Sequence, residues 1–200
     1  MAIKFQYNKT SQQALIKQLN IRERALPTLK NKESALRMEV KKARQKAESL
    51  EKQLEEEQNK LSHTMRLWSE FDPELIRIRE VELSSRKIAG VKTPVLEKIH
   101  FEIRDYNMFN APSWFPDGIE LLKKLTQIAV EKEIYTRKMK LLEYARKKTT
   151  QKVNLFEKIQ IPGYQDAIRK IKRFLEDKEN LSKAAQKIVK TRQQKAEEMA

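Results

Sequence analysis

From Leu15 to Trp68 the spacing of core positions alternates between four and three without a slip. One set reads Leu19, Leu26, Glu33, Val40, Ala47, Leu54, Leu61 and Trp68; the other reads Leu15, Arg22, Leu29, Leu36, Ala43, Leu50, Glu57 and Thr64. Most are apolar. A repeat held this long predicts one helix that supercoils left-handedly against a partner helix. Thr10 and Gln13 suit a capping box at its start, and Asp72-Pro73 ends the run. At about 1.5 Å per residue the helix is of order 85 Å long.

A second seam runs through Leu121, Leu125, Ile128, Lys132, Tyr135, Met139, Leu142, Arg146, Thr149, Val153 and Phe156. Asp117 as N-cap, with Glu120 three residues on, predicts a start near Gly118. The pattern then meets Pro162 and Gly163, which cost a helix interior roughly 3 and 1 kcal/mol against Ala. It resumes at Ile168, Ile171 and Leu175, and more weakly at Ala185 and Val189, out of the earlier register. Pro27 and Pro162 lie about equally far along their helices from the middle of the chain. Pro27, Pro162 and Gly163 are therefore expected to mark paired bends at one level. The competing expectation is that Pro162 ends the helix and the remainder is a separate arm.

The middle is different. "VKTPVLEKIHFEI" places Val91, Thr93, Val95, Glu97, Ile99, Phe101 and Ile103 at period two, which predicts a strand on one face of a hairpin turned near Ala89-Gly90. "YNMFNAPSWFPDG" is a turn-rich aromatic connector whose Trp114, Phe115 and Phe109 suit either a docking surface or the small core of the head. The expected fold is mainly α: a long antiparallel two-helix coiled coil with a small α+β head in mid-chain. Its parts are an N-terminal helix at 1–70, a head with a β-hairpin at 71–118, and a C-terminal helix at 119–200, kinked near 162–163.

Composition narrows the class. Charged residues make up 36% of the chain and aromatics 7%, with three glycines, which disfavours a multi-layer core. The net charge of +15 is divided: residues 1–68 carry 15 Lys/Arg against 8 Asp/Glu, 119–200 carry 21 against 11, and 69–118 carry 7 against 9. Two basic arms flank a mildly acidic centre. Cysteine is absent, which excludes disulfides and thiolate metal sites. "MAIKFQYNKT" lacks the apolar stretch of a signal peptide, and no run approaches the roughly 18 residues of a membrane span, so a cytoplasmic chain is expected.

Catalytic chemistry is not in view. Gly90, Gly118 and Gly163 are too far apart for a phosphate loop, and His63 and His100 lack ligand-spaced partners. Glu55-Glu56-Glu57 reads as solvated helix charge, and there is no nucleophile constellation. Neither a metal nor a cofactor is expected, and the chain alone is expected to hydrolyse nothing.

At "KKTTQKVNLFEKIQIPG" (147–163) the sequence resembles the D subunit of the V-type and A-type rotary ATPases, a central-stalk family. "KIAGVKTPVLE" (87–97) is similar to the family's hairpin segment, with its Ala-Gly-Val and following Pro-Val. "LKNKESAL" (29–36) matches the first-helix signature in Leu29, Lys30, Lys32, Ala35 and Leu36. The order holds along essentially the whole chain. Departures are Asn8, Lys9, Thr10 and Ser11 where the family has Asn-Pro-Thr-Arg, Lys32, Glu33 and Ser34 in place of Lys-Arg-Asp, and Pro27 within a helix. They suggest a divergent bacterial branch.

The resemblance implies a rotor shaft. The coil would insert into a hexamer of catalytic and non-catalytic nucleotide-binding A and B subunits. The head would bind the small F subunit of the stalk and dock on the funnel-shaped subunit of the membrane rotor ring, on the cytoplasmic side. ATP hydrolysis or synthesis would thereby be coupled to proton or sodium transport. Candidates for facing the hexamer are Lys30, Lys32, Lys148, Lys152, Arg169, Lys170, Lys172 and Arg173; each alone also reads as a solvated helix charge. A basic coil favours an acidic or mixed-charge lining. Candidates on the head are Val91, Pro94, Val95, Ile99 and Phe101, on a strand open to sheet extension or packing by a partner. The alternatives are a basic nucleic-acid-binding coil, a membrane-surface helix at "RKMKLLEYARKK", and a homodimeric tether. Basic and acidic residues mixed around both helices, without interleaved aromatics, argue against nucleic acid; direct membrane insertion is not expected.

Overall fold

The computed structural model describes residues 3–61, 68–107 and 111–198. Helix α1 spans Lys9–Leu61, strand β1 Ile76–Ile88, strand β2 Val91–Ile103 and helix α2 Phe115–Asn154; a π-helical turn, Leu155–Gln160, leads into helix α3, Ile161–Glu198. The chain is mainly α, with a two-stranded antiparallel sheet in its middle. By contacts it divides into two compact units, one of residues up to Asn31 together with those from Thr149 onward, the other Lys32–Lys148.

Every described position of the α1 heptad is buried or half-buried, whereas nearly all other residues of that helix are exposed. In the Lys32–Lys148 unit, Leu36, Val40 and Leu142 form a buried cluster, with Met139 and Ala145 packed on it. Glu51 meets Lys132 at 2.6 Å and Glu57 meets Lys124 at 3.2 Å, so α1 and α2 run antiparallel. The seam residues Glu57 and Lys132 are thus matched by polar partners across it, which helps set register while the leucines supply burial. Lys60 and Lys124 beside Glu57 hold its carboxyl below the usual range, and Arg146 does the same to Glu143.

The helix starts differ from the sequence expectation. Asn8, not Thr10, caps α1: its Oδ1 accepts from the Ser11 backbone N–H at 2.7 Å. Helix α2 begins at Phe115, three residues before the expected Gly118, because the Gly118 N–H already donates to the Trp114 carbonyl. Asp117 lies in the first turn, where a carboxylate favours the positive end of the helix dipole. Gly118 is there for space: an added Cβ would stand 2.9 Å from Cζ3 of Trp114.

The other unit pairs the first part of α1 with α3. Leu15, Ala167 and Ile171 are buried together, with Ile3, Phe5, Tyr164, Ile168 and Leu175 around them. Lys30 pairs with Glu157 at 2.7 Å, and the Arg22 Nε donates to Gln160 Oε1 at 2.6 Å. Pro27 therefore lies between two residues whose partners belong to the π turn. Helix α1 passes through Pro27 as one helix, and helical backbone also continues through Pro162. The discontinuity is the π turn just before Pro162, where the Ile161 N–H donates five residues back to the Phe156 carbonyl. Pro162 has no N–H to give, and its ring crowds the carbonyl four residues earlier. A π turn takes in one extra residue, so one line of buried and half-buried positions runs 156, 160, 164, 167 and 171, with two successive spacings of four. That is the loss of register seen in the sequence. At Gly163 the Ile3 side chain comes so close that an added Cβ would lie 3.0 Å from its Cδ1. This glycine admits the N-terminal segment.

Three outcomes are expected. Leu142→Ala, at a position with no exposure, should lower stability by about 2–5 kcal/mol in guanidinium unfolding. Gly163→Leu should speed proteolytic cleavage within residues 3–8 while far-UV circular dichroism keeps its helical signal. Because Glu57 and Glu143 titrate lower in the folded chain, their contribution is complete above the ordinary carboxylate value and lost as pH falls through the depressed one. Thermal midpoints should drop on acidification below about 4.5, and less steeply in Glu57→Gln with Glu143→Gln.

Candidate partner-docking site

The hairpin is built on a two-residue turn, Ala89-Gly90, with φ of 48° and 81°. Positive φ at both central residues is the geometry whose twist matches that of paired strands. Gly90 adopts it freely; Ala89, with its Cβ, does so under strain.

Cross-strand partners share a face of a sheet, so the register assigns each side chain. Ile88 pairs with Val91, Arg86 with Thr93 and Ser84 with Val95; further on, Val81 pairs with Ile99, Ile78 with Phe101 and Ile76 with Ile103. Between these groups Glu82 pairs with Lys98 and Leu83 with Leu96, leaving Glu97 as an extra residue of β2; Arg79 is the extra residue of β1. A bulge shifts the alternation by one. Val91, Thr93 and Val95 therefore lie on one face, and Ile99, Phe101 and Ile103 on the other. This corrects the single-face expectation, which period two would require only without a bulge.

The inner face near the turn is occupied by the chain itself. Ile88, Ala89 and Val91 pack on the Leu36–Val40–Leu142 cluster. Thr93, 1% exposed, donates from Oγ1 to the Arg86 carbonyl at 3.0 Å. Pro94 and Val95 line a cleft of about 220 Å³ with Glu131, Ile134, Tyr135 and Lys138 of α2. Of the five head candidates, Val91 thus serves the interior, Pro94 and Val95 border α2, and Ile99 and Phe101 belong to the outer face.

That outer face also holds Ile78 and Leu83, not singled out from sequence. Ile78 is 47% exposed and Leu83 51%, and Ile103 beside them 41%. Lys87 and Lys92 stand directly opposite each other next to the turn, and Lys32 of α1 brings its Nζ within 3.6 Å of the place a Gly90 Cβ would take. The register rule could have found Lys87 and Lys92 once the turn was placed. The bulges leave no local signature. At the base of the hairpin, Phe71, Leu75, Phe115 and Ile119 form a buried cluster with Trp68, Tyr106 and Trp114 against it. Trp114 and Phe115 are therefore the core of the head; Phe109 lies outside the described residues, as do His63 and Thr64.

The basic candidates divide. Lys30 is held by Glu157, Arg169 by Asp166 at 3.6 Å, and Lys172 by Glu176 at 3.7 Å. Lys148 lies over the Tyr144 ring at 4.6 Å. Lys32, Lys152, Lys170 and Arg173 are exposed. From Glu176 to Ala196 every residue of α3 is exposed, including Leu181, Ile188 and Val189. Among the described residues there is neither a group of three or more His, Cys, Asp or Glu placed to hold a metal nor a helix long and apolar enough to cross a membrane.

Comparison with known proteins agrees with this architecture. The family described as the ATP synthase D subunit matches residues 11–191. A V-type ATP synthase D subunit of Borreliella burgdorferi is 35% identical over 178 residues, 87% of each chain. One from Chlamydia muridarum is 28% identical over 203 residues, 99% of this chain and all of the relative. One from Chlamydia abortus is 28% identical over 182 residues, 88% of each. A match that runs through the heptad seam, the hairpin and the π turn alike leaves one conclusion: this chain belongs to the family of ATP synthase D subunits.

Proposed function

We propose that the chain is the central-stalk rotor of a V/A-type rotary ATPase, carrying torque between the nucleotide-binding hexamer and the membrane rotor ring. ATP hydrolysis or synthesis would thereby be coupled to proton or sodium transport. Its role would be non-catalytic, at the cytoplasmic face of the membrane, with the A and B subunits around the helices. The head, residues 71–118, would meet the stalk's F subunit and the funnel-shaped subunit. Residues 1–70 and 119–200 would form the shaft, with Pro27, Pro162 and Gly163 marking its bend.

The observation that carries this reading is the division of labour along the helices. The apolar stripe of α1 is used up within the chain, while its outward surface is mostly polar with an excess of basic residues, Ile16, Ile21 and Met38 being the large apolar exceptions. A rotating element needs that arrangement, because deep apolar anchoring in the hexamer would stall it. A pair of helices also lacks threefold symmetry, so each orientation presents different side chains to each catalytic site. Differential contact of that kind is what shifts a site between states. Among the described residues, every one from Glu176 to Ala196 is exposed, and this length suits insertion into the hexamer. The exposed cations Lys32, Lys152, Lys170 and Arg173 would face its lining, with Lys30, Lys148, Arg169 and Lys172 available after exchange of their weak surface contacts.

Coexpressed with the A and B subunits, the chain should enter their hexamer at one copy per ring, measured by native mass spectrometry. Absence of the chain from assembled hexamers would overturn the reading. Removal of residues 176–200 should reduce ATP-driven ion pumping more than assembly. Lys152→Glu combined with Lys170→Glu and Arg173→Glu should weaken retention at least tenfold at low salt, and the deficit should shrink as salt screens the charges.

A further inference from the structure

The hairpin has one face in use toward the turn; the opposite face is half exposed, with Val81, Ile99 and Phe101 half-buried and Leu96, across from Leu83, bordering α2. Toward the turn its inner face is packed on α1 and α2; on the opposite side, between the bulge at Glu97 and the aromatic cluster, Ile78, Val81, Leu83, Ile99 and Phe101 share a face. Ile78 and Leu83 are about half exposed. Contiguous apolar surface of this kind on a charged chain marks an interaction site. The same face ends at Lys87 and Lys92, like charges directly across the ladder, which disfavour each other. Neither has a carboxylate within salt-bridge distance among the described residues, and Lys32 adds a third ammonium beside the turn.

We infer that this outer face seats a single amphipathic helix from another protein of the complex, its apolar stripe along the sheet and its carboxylates over the lysines at the tip. The inference rests on the stalk reading above and specifies its head contact. Shape selects a helix. Two strands about 4.8 Å apart make a ribbon no wider than one helix about 10 Å across. From Ile78 to Lys87 is about 30 Å, or some 20 residues of helix. Strand addition at β2 is disfavoured, since Pro94 has no N–H for a third strand and α2 closes the cleft beside Pro94–Leu96. An acidic end on the visiting helix would relieve the Lys87–Lys92 opposition and so fix its direction.

The test uses the full-length chain, with a benzophenone amino acid in place of Leu83, assembled with separately purified subunits of the same ATPase. Irradiation should join it to one segment of a partner, identified by mass spectrometry, with apolar residues at helical spacing and carboxylates at one end. Leu83→Asp, and Lys87→Glu with Lys92→Glu, should each lower retention of that partner at least tenfold while the hexamer keeps the chain. Glu80→Ala, on the opposite face, should not. Reversing the partner's carboxylates to lysine should restore binding to the double Lys→Glu variant. Normal hexamer association without a cross-link, a cross-link only to a second copy, or full retention by a correctly folded Leu83→Asp chain would overturn the inference alone. Failure of the unmodified chain to join the hexamer would overturn the stalk reading with it.

Discussion

A heptad stripe has to keep facing its partner helix, and most other features of this molecule are answers to that requirement. A helix this charged cannot bury itself on all sides; its stability comes from one narrow apolar face. Where a polar side chain occupies the face, it must meet a polar group across the seam or bear the cost of unmatched burial. Glu57 with Lys124 and Arg22 with Gln160 meet that condition. Arg22 also lies over the Tyr164 ring at 4.7 Å, so one guanidinium ties α1 to both sides of Pro162.

Proline tests the same requirement more severely. A missing N–H and a ring that crowds the preceding turn would usually turn the helix away from its partner. The π turn at Leu155–Gln160 takes up both defects and one residue of phase, after which Ala167 and Ile171 again face Leu15. None of its six residues is buried, so the local widening displaces no core side chain. Gly163 then serves a separate need, the close approach of Ile3. Two adjacent residues that both look like helix breakers therefore have different physical roles.

In the head, two single-residue insertions have the largest effect. The Glu97 bulge lets Val91 and Thr93 pack inward while Ile99 and Phe101 face outward, so one hairpin serves the chain's own core and a half-exposed surface at once. The aromatic residues that would otherwise suggest docking anchors are consumed at its base, where Phe71, Trp114 and Phe115 meet in tilted and edge-on contacts with centroids 5.0 to 5.9 Å apart. Within the head, the apolar surface available to partners is therefore mainly aliphatic, with Phe101 its aromatic member, and lies on the sheet.

The sequence alone determined the helices, their seams and the turn at Ala89-Gly90, because heptad and period-two patterns and turn chemistry are local and repeat many times. It also carried the family likeness, since the matching segments lie along the whole chain. Tertiary structure decided what depends on which neighbour arrives first. Asn8 rather than Thr10 caps α1 because Ser11 presents its N–H there, and Trp114 sets the start of α2 by leaning on Gly118. The same holds for the bulges and the π turn. Each is one extra residue; the π turn shows in the sequence only as a change of register and the bulges not at all, and their placement follows from satisfying hydrogen bonds and burial on two strands or two helices together.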